Sequence, residues 1–231
     1  FRDYDGTLLY SYTAEEALAL SELPPLPVRE GLICQEWNWS LADMQEYVAS
    51  YGVCEIGATY ITDDGKTRLH ITIAAEGRMS VPLYFIQTIA HGVTIDWGDG
   101  SAVETLPGTG NVSTTHTYAS IGDYVIALDV ADGCGLRLGH EKDGYCVIGG
   151  ALPYSSMLRG VCVGKCVKHI GYYTFSNCRS LASITIPIGV TGVSNTAFSN
   201  CHSLASITIP SSVTKIGLST FVYCYSLASI T

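Results

Sequence analysis

A phrase that occurs three times at the end of the chain constrains the fold more than any other feature. Residues 175–187 read FSNCRSLASITIP; the phrase returns almost unchanged over 198–210 and begins again at 221, so successive copies are 23 residues apart. Because this spacing is constant, stacked copies place the same side chain at the same angle and bury it in one continuous core. The sequence therefore predicts a solenoid of stacked coils.

Weaker matches extend the pattern one unit towards the N-terminus. Val167–Gly171 aligns with 213–217, and Leu158–Val163 aligns with 181–186. We therefore expect a degenerate coil over about 152–174, because the terminal repeats that cap such a stack are atypical.

Each copy also contains the spacing Leu-x-x-Ile-x-Ile of a leucine-rich repeat, as at Leu181, Ile184 and Ile186. Side chains alternate along a strand, so these residues are expected to point inward and their neighbours outward. The expected outward strand face consists of Ser183, Thr185, Ser206, Thr208, Ser229 and Thr231.

The Phe, the Cys, the Leu-x-x-Ile-x-Ile-Pro stretch and the Val-x-x-Ile turn closely resemble the BspA-like leucine-rich repeat family of bacterial surface proteins. This resemblance covers about a third of the chain, residues 152–231. It implies a protein that is displayed extracellularly, at the bacterial cell surface, or secreted. The last copy stops inside the motif at Thr231, so we expect the parent protein to continue.

Charge divides the chain near residue 150. Residues 151–231 contain five cations and no Asp or Glu, whereas residues 1–150 carry 21 acids against seven cations. Hydrolytic acid–base pairs and sites for hard metal ions both depend on carboxylates, so catalysis in the repeats is not expected. Five dispersed cations also do not predict nucleic-acid binding, which requires clustered Lys and Arg.

Length and composition favour several β-rich modules. A chain of 231 residues with 47% hydrophobic content, 24 Gly and 15 Tyr can bury the cores of two or three such modules. It contains no run of 18 or more apolar residues, so no transmembrane segment is predicted. The chain starts at Phe1 without a basic and apolar leader, as a mature or trimmed protein would.

The nine cysteines allow either disulfides or buried thiols. Cys178, Cys201 and Cys224 recur on the expected inner side of the coils, where free thiols pack as small apolar groups. Cys134 and Cys146 bracket a Gly-rich segment and form the pair to test for a bridge. No CxxC or HxxxH spacing is present, so neither zinc nor any cofactor is expected.

The middle of the chain has alternating strand patterns broken by turn residues. The stretch 93–100, VTIDWGDG, predicts a strand and an Asp-Gly turn, and 116–119 and 122–128 predict two more strands. The Trp-Gly-Asp-Gly, His-Thr-Tyr and Gly-Asp-Tyr-Val stretches resemble the polycystic-kidney-disease (PKD) type β-sandwich, with Val one residue earlier than usual. Upstream, 58–66 and 68–73 predict a hairpin, followed by a strand at 81–86.

The acidic residues of this region raise the question of catalysis or calcium binding. Paired carboxylates such as Asp96 and Asp99 can perform glycoside hydrolysis. We expect instead that Asp99 bonds backbone amides in the turn, while Gly100 takes a positive φ. No spaced Asp-x-Asp-x-Asp loop is present for calcium on Asp63, Asp64, Asp96 or Asp99. His116 is expected to bond a neighbouring loop.

The first fifty residues predict a third module. Residues 1–9 form a strand–turn–strand pattern, 13–20 a helix capped by Thr13, 29–40 a strand and 41–47 a helical exit. The stretches Asp-Tyr-Asp-Gly-Thr and Arg-Glu-Gly resemble the Listeria/Bacteroides repeat, a small β-grasp-like module, although Cys34–Trp37 departs from the usual Phe-x-Gly-Trp. Trp37 and Trp39 could stack on sugars, but packing against the helix is favoured.

The predicted fold class is therefore mainly β and multidomain. It comprises a β-grasp-like module at 1–50, a PKD-like β-sandwich at 53–132, a linker at 133–151 and a leucine-rich repeat solenoid of about three coils at 152–231, which stops within a repeat.

No module contains a catalytic constellation, so the predicted function is adhesion or protein–protein interaction with a host or bacterial surface protein or glycan, and not catalysis. Two alternatives are a prophage or phage tail-associated protein and an accessory fragment of a larger surface hydrolase. Recognition is expected at positions that vary between copies; drift at unconstrained surface sites would give the same variation. These positions are Arg179, His202 and Tyr225 at one angle and Tyr172, Asn195 and Leu218 at another.

Overall fold

The structure is a computed structural model that describes residues 1–2, 8–25, 32–37, 40–62, 64–139, 146–149 and 155–230. The chain divides into two compact units, Phe1–Asp64 and Gly65–Thr231.

In the described part of the first unit, two helices accompany a two-stranded sheet. Helix α1 spans Ala14–Leu18 and α2 spans Leu41–Tyr51, while β1 (Leu32–Trp37) pairs antiparallel with β2 (Ala58–Thr62). The predicted Thr13 cap is confirmed: its hydroxyl accepts from the Glu16 amide, and the Glu16 carboxylate accepts from the Thr13 amide. This reciprocal capping box satisfies amide donors that a helix start leaves open.

Trp37 lies in the core of the first unit. The indole is 5% exposed, packs in a cluster with Met44 and Val48, and donates from Nε1 to the Pro24 carbonyl at 2.8 Å. The predicted packing role of Trp37 is therefore confirmed. Trp39, the Asp-Tyr-Asp-Gly-Thr stretch and the Arg-Glu-Gly stretch lie outside the described residues.

Among the described residues of the second unit, fourteen strands and a short 3-10 helix, Glu76–Arg78, are assigned. The first seven strands are β3 Thr67–Ile73, β4 Ser80–Gln87, β5 Val93–Asp96, β6 Glu104–Thr105, β7 Gly110–Thr117, β8 Gly122–Val130 and β9 Leu136–Leu138. The strands of the repeats are β10 Leu158–Cys162, β11 His169–Ile170, β12 Ser183–Thr185, β13 Gly192–Val193, β14 Ser206–Ile207, β15 Lys215–Ile216 and β16 Ser229–Ile230.

Strands β3 to β9 form two antiparallel arrays. One has the order β3-β8-β5-β6 and the other the order β7-β4-β9. Every second residue of β3 and β4 is buried in a common core, as expected for sheets with one face covered. The hairpin predicted from 58–66 and 68–73 is wrong: β3 pairs with β8 on one edge and with β10 on the other, which leaves no free edge for β2.

The repeats stack in the register that the sequence predicts. Gly160 pairs with Ser183, His169 with Gly192, Gly192 with Lys215, and Ser206 with Ser229, all in parallel and all 23 residues apart. Strands β10 and β11, which precede the three clear copies, thus pair at the same 23-residue spacing as the later strands. We refer below to 175–197, 198–220 and 221–231 as the first, second and third copies.

Both arrays of β3 to β9 continue into the repeats. Strand β10 pairs antiparallel with β3 and parallel with β12, and a bridge joins Leu136 to Val167 at the edge of the other array. The buried residues from Leu69 to Ile207 accordingly form one cluster. The segment predicted as a linker, 133–151, contributes strand β9 and the buried side chains of Val147 and Ile148.

Identical side chains form ladders inside the three copies. The rings of Phe175, Phe198 and Phe221 stack with centroids 5.3 and 5.5 Å apart and planes within 18° of each other. Phe175 and Phe198 are fully buried, and Phe221 is half-buried. Within the described ranges only Phe198 has such a ring on both sides.

Candidate partner-binding surface

Tight turns after each Phe present the variable residues. Asn177, Asn200 and Tyr223 occupy the left-handed region, with φ of 61°, 61° and 60°. Asn tolerates this conformation well, and a large aromatic residue does not. The turns are tied together by the Ser176 and Ser199 hydroxyls, whose oxygens lie 3.1 Å apart.

The first predicted column, Arg179, His202 and Tyr225, lies two residues beyond these turns. Arg179 and Tyr225 are exposed, Tyr225 by 75%, and His202 is half-buried. The His202 and Tyr225 rings meet with centroids 5.1 Å apart at 47°. The Arg179 carbonyl accepts from the amide and hydroxyl of Ser203, at 3.1 and 2.8 Å. These hydrogen bonds fix the Arg179 backbone, while the Arg179 and Tyr225 side chains face solvent.

The second predicted column divides into exposed and structural positions. Tyr172 and Leu218 are 46% and 78% exposed. Asn195 is half-buried, and its Oδ1 accepts from the Leu218 amide at 2.8 Å. This bond ties the first copy to the second, so Asn195 has a packing role that its variation between copies did not reveal.

The predicted strand face is a row of small hydroxyl side chains. Ser183, Ser206 and Ser229 are exposed on their strands, Thr185 is half-buried, and Thr208 is exposed just after β14. Thr231 lies outside the described residues. Because these side chains are small, a partner can approach the backbone of this face closely.

Sequence analysis missed Tyr223 as a surface residue. Its ring is 56% exposed and lies 6.1 Å from the Tyr225 ring, which extends the aromatic contact between Tyr225 and His202. The available signal was the replacement of Asn177 and Asn200 by Tyr at the same position of the third copy. We call His202, Tyr223 and Tyr225 the aromatic patch.

Asp99 has structural partners in its turn and on the neighbouring strand. Asp99 Oδ1 accepts from the Ser101 amide at 3.0 Å, and its Oδ2 lies 2.7 Å from His116 Nε2. Hydrogen bonds from Ser101 and then from His116 lower the pKa of Asp99 to about 2. Gly100 has φ of 81°. The predicted turn role of Asp99 and loop-bonding role of His116 are confirmed.

Trp97 fixes the Trp-Gly-Asp-Gly turn to the core, while the three residues after it are exposed. Trp97 stacks on His116 with centroids 4.7 Å apart, and the Tyr118 hydroxyl donates to the Trp97 carbonyl at 2.9 Å. Asp96 Oδ1 accepts from the Gly98 amide. In the part of the chain that the structure describes, no cluster of three or more His, Cys, Asp or Glu is placed to hold a metal ion.

The cysteines of the three copies are free thiols. Cys178 and Cys201 are fully buried and Cys224 is half-buried, which confirms the predicted inner position. Cys134 and Cys146 are also free, and the nearest thiol partner of Cys146 is Cys178, with the two Sγ atoms 3.2 Å apart.

Comparison with known proteins identifies the repeats. Residues 151–231 match the family model described as a BspA type leucine-rich repeat region (6 copies), which confirms the predicted resemblance for this part of the chain. Such repeats are typical of bacterial surface proteins, are typically non-catalytic, and indicate protein–protein interaction as the class of function. The PKD-like and Listeria/Bacteroides resemblances stay predictions.

One solved structure similar to the chain is the crystal structure of the T. pallidum leucine-rich repeat protein, at 28% identity and a TM-score of 0.27. The match covers 31% of this chain and 44% of that one, so it spans less than half of the solved protein. No curated protein matches the chain. No helix within the described ranges has the length and apolar character needed to cross a membrane.

Proposed function

We propose that the chain is a non-catalytic protein of the bacterial cell surface, or a secreted one, that adheres to a partner protein through the outward side of its repeats. The observation that carries the proposal is the contrast between the fixed Phe, Cys and Leu ladders and the variable column of Arg179, His202 and Tyr225, in which Arg179 and Tyr225 are exposed and His202 is half-buried.

The residue types in and beside that column support binding. Tyr and Arg are enriched among the residues that dominate binding energy at protein interfaces, because they bury a large area with few rotatable bonds or form several hydrogen bonds. Arg179, Tyr223 and Tyr225 supply these types, and the hydroxyl face of Ser183, Thr185, Ser206 and Thr208 supplies small polar groups beside them.

Charge favours an acidic partner surface. The repeats carry five cations and no carboxylate from residue 151 onward. A partner with exposed Asp and Glu near its contact residues would meet Arg179 without repulsion, and such complementarity raises the rate and specificity of association. On this proposal the PKD-like and β-grasp-like regions serve as spacers.

Binding of the full chain to an array of host extracellular-matrix proteins, bacterial surface proteins and glycans tests the proposal. The wild-type chain is compared with Arg179→Ala/His202→Ala/Tyr225→Ala and with Val103→Ala/Ile121→Ala, two exposed residues outside the repeats, as a surface control. We expect specific capture of a protein ligand that the triple variant loses and the control retains.

Either of two results would overturn the proposal. Capture of the same ligand by the triple variant would show that binding does not depend on this column. Capture of glycans alone would replace the protein partner with a carbohydrate.

A further inference from the structure

One thiol in the cysteine ladder lies against a cysteine from outside the three copies. Cys201 Sγ donates to the Phe175 carbonyl at 3.2 Å and Cys224 Sγ to the Phe198 carbonyl at 3.1 Å, each reaching back 26 residues. Cys178 is the first member of the ladder, and its Sγ lies 3.2 Å from Cys146 Sγ. Both side chains are buried, at 0% and 6% exposure.

Backbone hydrogen bonds hold Cys146 in this position. The Tyr84 amide donates to the Val147 carbonyl, the Val147 amide to the Thr174 carbonyl, and the Gly149 amide to the Pro82 carbonyl, at 2.9 to 3.0 Å. The segment 146–149 is therefore fixed between β4 and the coil that precedes the first copy. Its neighbour Cys178 is fixed by the Cys178 amide bond to the Phe175 carbonyl at 3.2 Å.

The pair that the sequence favoured does not meet in this way. Cys134 Sγ donates to the Gly135 carbonyl at 3.6 Å and accepts from the Thr88 hydroxyl at 4.0 Å. Cys146 instead faces the ladder. A covalent S–S bond of about 2.05 Å requires its two sulfurs to approach by only on the order of 1 Å.

We propose that Cys146 and Cys178 form a disulfide when the protein folds in an oxidising compartment. The two thiols lose two protons and two electrons to a small-molecule or protein disulfide, which is released as two thiols. The bridge closes a loop between residues 146 and 178 and ties the segment 146–149 to the first copy. The proposal does not depend on the identity of any binding partner.

Timing follows from the chemistry of the thiols. Exchange requires a thiolate, and burial raises the pKa of the Cys178 thiol well above its usual range. The bridge therefore forms during folding, before Cys178 is buried. A protein folded with both thiols reduced oxidises slowly afterwards.

Peptide mapping tests the pairing. The full chain is refolded with a mixture of oxidised and reduced glutathione. It is then unfolded in denaturant that contains an alkylating agent, so that every free thiol is blocked, and it is digested and analysed by mass spectrometry. We expect one linked pair of peptides containing Cys146 and Cys178, two hydrogens lighter than the reduced pair, with Cys201 and Cys224 alkylated. Alkylation of both Cys146 and Cys178, or a link from Cys146 to Cys134 or from Cys178 to Cys201, would overturn the proposal.

Thermal unfolding supplies a second readout. Reduction of the refolded wild-type protein is expected to lower its Tm by on the order of 10 °C. Cys146→Ser should remove this dependence on reductant, while the matched control Cys134→Ser should keep it. A wild-type Tm that reductant leaves unchanged would contradict the bridge, and the peptide map decides the matter if Cys146→Ser fails to fold.

Discussion

The inner and outer sides of the same three copies differ in how far their residues vary from one copy to the next. Inside, Phe175, Phe198 and Phe221 are identical and stack ring on ring. Outside, at the neighbouring column, Arg179, His202 and Tyr225 share neither size nor charge. Like side chains are required where each copy packs on the next, because a different volume would open a cavity or a clash. The outer column carries no such requirement, so it can vary to suit a partner.

The largest loss of stability is expected from a substitution on the inner side of the copies. Phe198→Ala removes a fully buried ring that stacks on both neighbours, and it should lower the free energy of unfolding by about 3–5 kcal/mol. Urea unfolding of the full chain measures this loss. Phe221→Ala is the matched control, and its smaller burial predicts a loss less than half as large. Equal losses of unfolding free energy in the two variants would show that ring stacking between copies does not determine the loss of stability.

Two glycines of the repeats show how closely the backbones of neighbouring coils approach each other. A Cβ at Gly217 would overlap the backbone nitrogen of Asn195 in the preceding copy, which cannot move alone. We expect Gly217→Ala to cost about 1–3 kcal/mol. At Gly160 a Cβ would lie 3.2 Å from the mobile Ser183 hydroxyl, so Gly160→Ala should cost less. The reverse order in urea unfolding would contradict this account of copy-to-copy contact.

Tyr223 offers a stabilising substitution on the outer side. Its φ of 60° is strained for an aromatic residue and suits Asn, the residue at the same position in the other two copies. Tyr223→Asn should raise the free energy of unfolding by about 0.5–1 kcal/mol, and it should weaken any contact made by the aromatic patch. Asn200→Gly, at the same φ, should change stability little. A destabilised Tyr223→Asn protein would mean that the ring packs more firmly than its exposure indicates.

The smallest change in stability is expected at the outer column. Each alanine at Arg179, His202 and Tyr225 should alter the free energy of unfolding by no more than about 0.5 kcal/mol. Urea midpoints of the three single variants and the triple variant measure this directly. A loss of several kcal/mol in the triple variant would show that the column belongs to the packing and not to a free surface.

The sequence predicted the repeats well because their fold depends on local periodicity. The 23-residue spacing determines which strands pair and which side chains are buried, including in the degenerate coil. Helices were also predicted at 13–20 and 41–47, where the structure has Ala14–Leu18 and Leu41–Tyr51; the Thr13 cap of the first is a short-range signal.

Long-range pairings were not predictable in the same way. The junction of β10 with β3 joins segments about 90 residues apart, and no local pattern specifies such a partner. The approach of Cys146 to Cys178 depends on the same junction and on strand β4. In the candidate surface, exposure followed from the repeat, whereas the hydrogen bond from the Leu218 amide to Asn195 required coordinates.

The most direct test of the account measures affinity and stability together. A protein ligand found on the array is titrated against the full wild-type chain, the Arg179, His202, Tyr225 triple-alanine variant and the Val103→Ala/Ile121→Ala control, and Tm is recorded for each. The account predicts at least about 30-fold weaker binding for the triple variant, with Tm unchanged and the control binding as wild type. Equal Kd values for wild type and the triple variant would contradict the claim that the outer column is the binding surface.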